Sequence, residues 1–130
     1  MRAPLSSLLL AVSFALAAAP STVLADPLPP AAKAEVVALL DRLKTSSCEF
    51  NRNGDWHAAA EARSHLERKL RYLEDKNLVK TAEQFIELGA SRSSMSGKPY
   101  LVRCAGAAPV ESKTWLTREL AAVRAAATAR

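Results

Sequence analysis

Four serines, Ser91, Ser93, Ser94 and Ser96, stand in one short run of the chain, and two histidines, His57 and His65, stand upstream of it. A serine hydroxyl becomes a nucleophile when an imidazole takes its proton and a third group orients that imidazole. Asp55 or Glu61 can orient a histidine. No Gly-x-Ser-x-Gly elbow accompanies the serines. A hydrolase therefore requires a loop serine within hydrogen-bond reach of His57 or His65. Metal chemistry has less material. The histidines are about two helical turns apart, too far to share an ion on one helix. Cys48 and Cys104 come without a histidine pair at zinc spacing. Glu49 and Glu61 offer carboxylates of the glycosidase type but no spacing that singles them out. The reading is a chain without a cofactor, without a metal site, and without a catalytic residue.

Binding chemistry is better supplied. Ser91 to Cys104 holds the four serines, Gly97, Pro99, Tyr100 and the cations Arg92, Lys98 and Arg103. Ser93, Ser94, Ser96, Gly97, Lys98, Tyr100 and Arg103 form the candidate partner-binding set. Hydroxyls and cations on a Gly/Pro loop suit a polar or acidic partner. The same serines can instead satisfy the loop's own turns. A second set is Arg52, Asn53 and His65. A forked guanidinium beside the Asn53-Gly54 turn can clamp a carboxylate or phosphate, or bond open helix carbonyls. His65, Lys69 and Tyr72 share one flank of a helix, facing either a ligand groove or solvent.

The elements that must position these residues follow from periodicity. Residues 1–25 read as a secretory signal peptide. Arg2 supplies the charge, Leu8 to Ala19 the apolar run, Pro20 the break and Val23-Leu24-Ala25 the cleavage site. That places the protein in the periplasm, cleaved after Ala25, with no transmembrane segment remaining. Residues 26–130 make one small domain. The formal charge of +5, or +4 without Arg2, is mild and interleaved with acids. It lacks the dense basic stripe of a nucleic-acid binder. Two cysteines in an exported chain read as one disulfide, Cys48–Cys104.

Asp26 to Pro30 reads as a stiff leader with no core to bury. A first helix is expected from about Ala31 to Ser47 on the stripe Val36, Val37, Leu39, Leu40 and Leu43. Cys48 to Asp55 reads as a turn centred on Asn53-Gly54. A second helix is expected from Trp56 to Asp75, capped by Asp55, with Trp56, Ala59, Leu66, Leu70 and Leu73 inside. Lys76-Asn77 breaks it. Thr81 and Gln84 form a capping box for a third helix, with Phe85, Ile86 and Leu88 inside and Gly89 near its end. Tyr100 to Cys104 is the one β-prone segment. Ser112 caps a last helix carrying Trp115, Leu116, Leu120 and Val123. The fold class is mainly α: a bundle of about four helices, with one irregular loop and short β-prone arm pinned by the disulfide.

The order Cys48-x-Phe50-x-Arg52-Asn53-Gly54-x-Trp56, Glu61-Ala62-x-x-His65-Leu66-x-x-Lys69, Thr81-Ala82-Glu83-Gln84-Phe85-Ile86, Ser93-Ser94-x-Ser96-Gly97-Lys98-Pro99-Tyr100 and Trp115-Leu116 resembles the DUF5329 family. These are small exported proteins of Gram-negative bacteria with no assigned function. The resemblance covers nearly all of residues 26–130 and implies a single periplasmic domain. It supplies no activity or ligand. Ser96-Gly97-x-x-Tyr100 is also similar to the loop motif of periplasmic lysozyme inhibitors, with three specified positions in five. That similarity implies a peptidoglycan-cleaving enzyme, or another envelope protein, as partner. The expected function is a non-enzymatic binding module presenting Ser91–Arg103. The alternatives are a small hydrolase using a loop serine, or a structural accessory of the envelope.

Overall fold

The computed structural model of the chain describes residues 11, 13–20 and 28–129. Residues 11 and 13–20 are exposed and carry no regular secondary structure. The cleavage point after Ala25 lies outside the described residues. Among those described, no helix is long and apolar enough to cross a membrane.

Four helices and a four-stranded antiparallel sheet make up the domain. The expectation of a mainly helical bundle holds for the helices and misses the sheet. Helix α1, Pro30–Thr45, starts on a proline, whose fixed φ and missing N–H suit a first turn. It buries Val36, Leu39, Leu40 and Leu43. Val37 is 40% exposed, because its place in the helical repeat falls outside the buried stripe. Leu28, just ahead of α1, is 5% exposed within the core, so the proline-rich leader does bury a side chain.

The segment read as a turn is a β-hairpin. Strand β1, Glu49–Arg52, and strand β2, Asp55–Ala58, pair through Asn53-Gly54. Both turn residues have positive φ, 53° and 91°, the requirement of a two-residue turn that matches strand twist. Asp55 and Trp56 therefore lie in β2, and helix α2, Ala59–Asp75, begins three residues later than Trp56. No side chain caps it. Its inner face is Ala59, Ala62, Leu66, Leu70 and Leu73. Asn77, at φ 56°, ends it: Asn77 N–H donates to Glu74 O and Leu78 N–H to Leu73 O.

Helix α3, Ala82–Gly89, opens as expected. Thr81 accepts from Gln84 N–H, and the Gln84 side chain accepts from Lys80 N–H at 2.7 Å. Phe85 and Ile86 are buried, while Leu88 is 49% exposed. The β-prone arm is strand β3, Leu101–Arg103, and it joins β4, Val110–Glu111, which leads into α4, Ser112–Thr128. Glu111 holds the N-cap position, and Ser112 is the first helical residue, fully buried. Trp115, Leu116 and Leu120 are buried; Val123 is only partly so.

The sheet order is β2-β1-β3-β4. Helix α2 lies against β1 and β2, and α4 against β3 and β4. Phe50 of β1 faces Val102 of β3 across the ladder, and both are 1% exposed. The Cys48–Cys104 disulfide continues that register by one pair beyond Glu49↔Arg103. It fastens the end of β1 to the end of β3.

Candidate functional site

Side chains alternate across a strand, so Arg52 leaves β1 on the same side as Phe50. Phe50 enters the core, and Arg52 runs along α2 beside it. There Arg52 Nη1 meets His65 Nδ1 at 2.6 Å. His65 Nε2 lies 3.2 Å from Tyr100 Oη. Lys69, one helical turn beyond His65, donates to the same Oη at 3.2 Å and to Arg92 O at 3.2 Å. The Lys69 ammonium is also 5.1 Å from the Tyr100 ring centroid. Phe50 packs against that ring at a tilt, centroids 5.0 Å apart.

The partners fix the protons. A guanidinium only donates, so Nδ1 of His65 accepts and Nε2 carries the hydrogen, which it donates to Tyr100 Oη. Burial, reinforced by Arg52, Lys69, Arg68 and His57, pushes the His65 pKa down to about 4, so the ring is neutral at pH 7. Burial, and then Arg52, also lowers Lys69. Burial raises Tyr100 against the opposing pull of Arg52. Oη of Tyr100 accepts from both His65 and Lys69, so both lone pairs are engaged. Its own proton has no acceptor among the described residues.

The serine loop forms the facing wall. Ser93 Oγ accepts from the N–H groups of Met95 and Ser96, at 3.3 and 3.2 Å. Ser93 N–H donates to Lys98 O and Gly97 N–H to Ser93 O. Gly97 takes φ 72°, which closes the turn at no steric cost. Ser96 Oγ donates to Asn53 Oδ1 at 2.6 Å, tying the loop tip to the hairpin turn. Ser91 is buried and donates to Ile86 O.

Between these walls lies an open groove of ≈ 680 Å³. The hairpin contributes Arg52, Asn53, Asp55 and His57; α2 contributes His65, Arg68, Lys69 and Tyr72; the loop contributes Ser93, Ser94 and Met95. Three cations thus face one carboxylate. None of Arg52, Arg68 and Lys69 forms an ion pair with a carboxylate of the described residues. By contrast, Arg63 and Arg124 each hold two carboxylates and Arg103 holds one. Met95 at the loop tip is 97% exposed, and Tyr72 on the opposite bank 59%.

The structure joins the two sets that the sequence kept apart. Arg52, Asn53 and His65 stand with Ser93 and Ser94 around one groove. Tyr100, expected on the presented face of the loop, is 2% exposed and acts from within. Lys98 and Gly97 are exposed beside the groove. Arg103 is elsewhere, on the other face of the sheet, 3.9 Å over the Trp56 ring and paired with Glu49 at 3.2 Å. His57 Nδ1 lies 3.2 Å from Glu61. Among the described residues, neither imidazole hydrogen-bonds a serine, and no cluster of three or more His, Cys, Asp or Glu could hold a metal ion. Arg68 and Met95 were not foreseen in the site. The signal for Arg68 was its position three residues after His65, which shares a helical flank.

A family model described as a family of unknown function, DUF5329, matches residues 30–124. An uncharacterized protein of Salmonella typhimurium, YfeK, is 46% identical over 69 residues, 52% of this chain and 56% of that protein. The chain thus spans little more than half the length of this curated relative. No solved structure matches the chain.

Proposed function

The chain belongs to the DUF5329 family, which has no assigned activity, and we propose from its own geometry that it is an exported, non-enzymatic module that binds an anionic ligand in this groove. The observation that carries the reading is the set of three cations, Arg52, Arg68 and Lys69, gathered on one concave surface without a carboxylate partner among the described residues. Like charges brought together raise one another's cost, so the arrangement is favourable when an anion is shared among them. Neutral His65 holds Arg52 in place without adding to that repulsion. The leader pattern of residues 1–25 supports export, and the disulfide supports an oxidising compartment.

Other readings of this surface have weaker support. An inhibitor of a peptidoglycan-cleaving enzyme would present Ser96 and Tyr100 to the enzyme's cleft. Here Ser96 donates to Asn53 and Tyr100 is buried. A hydrolase would need a serine beside an imidazole. His65 has both ring nitrogens engaged, by Arg52 and Tyr100.

The test is titration of the oxidised protein with inorganic phosphate and with citrate, followed by NMR at His65 and Lys69. Saturable shifts that weaken with added salt are expected. Unchanged spectra with both anions would remove the reading. Ester hydrolysis that disappears in Ser94→Ala would replace it with the hydrolase.

A further inference from the structure

The rim of the groove differs from its floor. The floor is cationic, but the most exposed large apolar side chain on this face is Met95, held in the centre of a braced turn. Tyr72 stands exposed on the opposite bank. A small hydrated anion would satisfy Arg52, Arg68 and Lys69 and leave both of these rim residues in water. A ligand that carries an anion and an apolar boundary together satisfies the whole surface.

Resting on the anion-binding reading, we infer that the groove takes the phosphate of an anionic phospholipid headgroup at a bilayer surface, with Met95 entering the interface as a wedge. The chemistry matches in layers. Cations near an anionic surface contribute about 1 kcal/mol each. Tyrosine favours the headgroup level, where its ring is sheltered and its hydroxyl wet. A methionine moved into the acyl boundary gains by leaving water. Asp55 is the one carboxylate on the groove, so the face is net positive. The loop does not need to reorganise on contact, because Ser93 and Asn53 already hold its tip. Lys98, exposed on the same loop, adds a further cation.

Inorganic phosphate offers the same headgroup chemistry without the bilayer, so two arms separate the sources. The protein, purified as the cell exports it, is sedimented with vesicles of phosphatidylglycerol in phosphatidylcholine and with vesicles of phosphatidylcholine alone. Binding to the mixed vesicles only is expected. Met95→Ser should weaken partition about tenfold, and Arg68→Ala about fivefold. Both side chains are exposed, and unchanged circular dichroism would establish that the variants fold. Equal partition onto the two vesicle types, or partition unchanged in both variants, would overturn the inference. If inorganic phosphate shifts His65 and Lys69 but vesicles are not bound, the lipid falls and the anion groove stands. If neither arm responds, both fall.

Discussion

The His65 bridge makes acid stability the sharpest test of the site's electrostatics. A proton added to the folded ring would put a charge in a partly buried place and beside Arg52 and the ammonium of Lys69, so the unfolded chain takes that proton first. Stability is then full above the unfolded value of 6.5 and drains as the pH falls toward about 4. At complete burial the gap would amount to about 3 kcal/mol. The ring is only half-buried and water screens it, which leaves about 1–2 kcal/mol. The perturbation is His65→Gln, whose amide can accept from Arg52 and donate to Tyr100 but does not titrate. Urea denaturation of both proteins at pH 7, 6, 5 and 4 reads the effect. The wild type should lose about 1–2 kcal/mol more than the variant over that range. The carboxylates Glu83 and Glu87, held low by Arg124 and Lys113, contribute equally to both and cancel. Parallel curves, or an NMR titration placing His65 near 6.5, would refute the reasoning.

Three further outcomes are expected from the fold. Replacing Cys48 and Cys104 together by Ser should lower stability by about 4 kcal/mol, because the bond closes a span of 56 residues in the unfolded chain; denaturation with and without reductant measures it. Gly89→Ala should destabilise by about 1 kcal/mol despite better helix propensity, since its Cβ would stand 3.0 Å from the Phe85 ring and 3.1 Å from Leu73; a gain in urea midpoint would show that the ring yields. Thr81→Ala should cost about 1 kcal/mol by leaving Gln84 N–H without its cap, read in the same assay.

The helices were legible because their stripes are local. Val36, Leu39, Leu40 and Leu43 announce α1, and Thr81 with Gln84 announces α3. The sheet was not, because its strands run two to four residues and their pairing is non-local. Phe50 faces Val102, half the domain away. Asn53-Gly54 marked the turn, yet Cys48 to Arg52 is too short to display alternation. Trp56 fits a helical seam in sequence and is a strand residue in space. The groove followed the same logic. His65, Lys69 and Tyr72 were visible as one flank, and Arg52 and Asn53 as one turn. Bringing them together required a hairpin folded onto α2, which no local pattern contains. Tyr100 looked like a display residue because Ser, Gly, Lys and Pro surround it. Only the ladder beside it turns the ring inward.

The crosslink at Cys48 has a consequence for how this arm tolerates change in length. Arg52 reaches the groove because it stands an even number of positions along β1 from a fixed knot. One residue inserted between Cys48 and Arg52 would swing the guanidinium to the face where Arg103 covers Trp56, and would leave the groove one cation short. A second insertion would swing it back, farther out. Length variation on this arm therefore acts on the binding surface as a switch of face, odd steps turning the guanidinium away from the groove and even steps returning it to that side beyond the reach of His65.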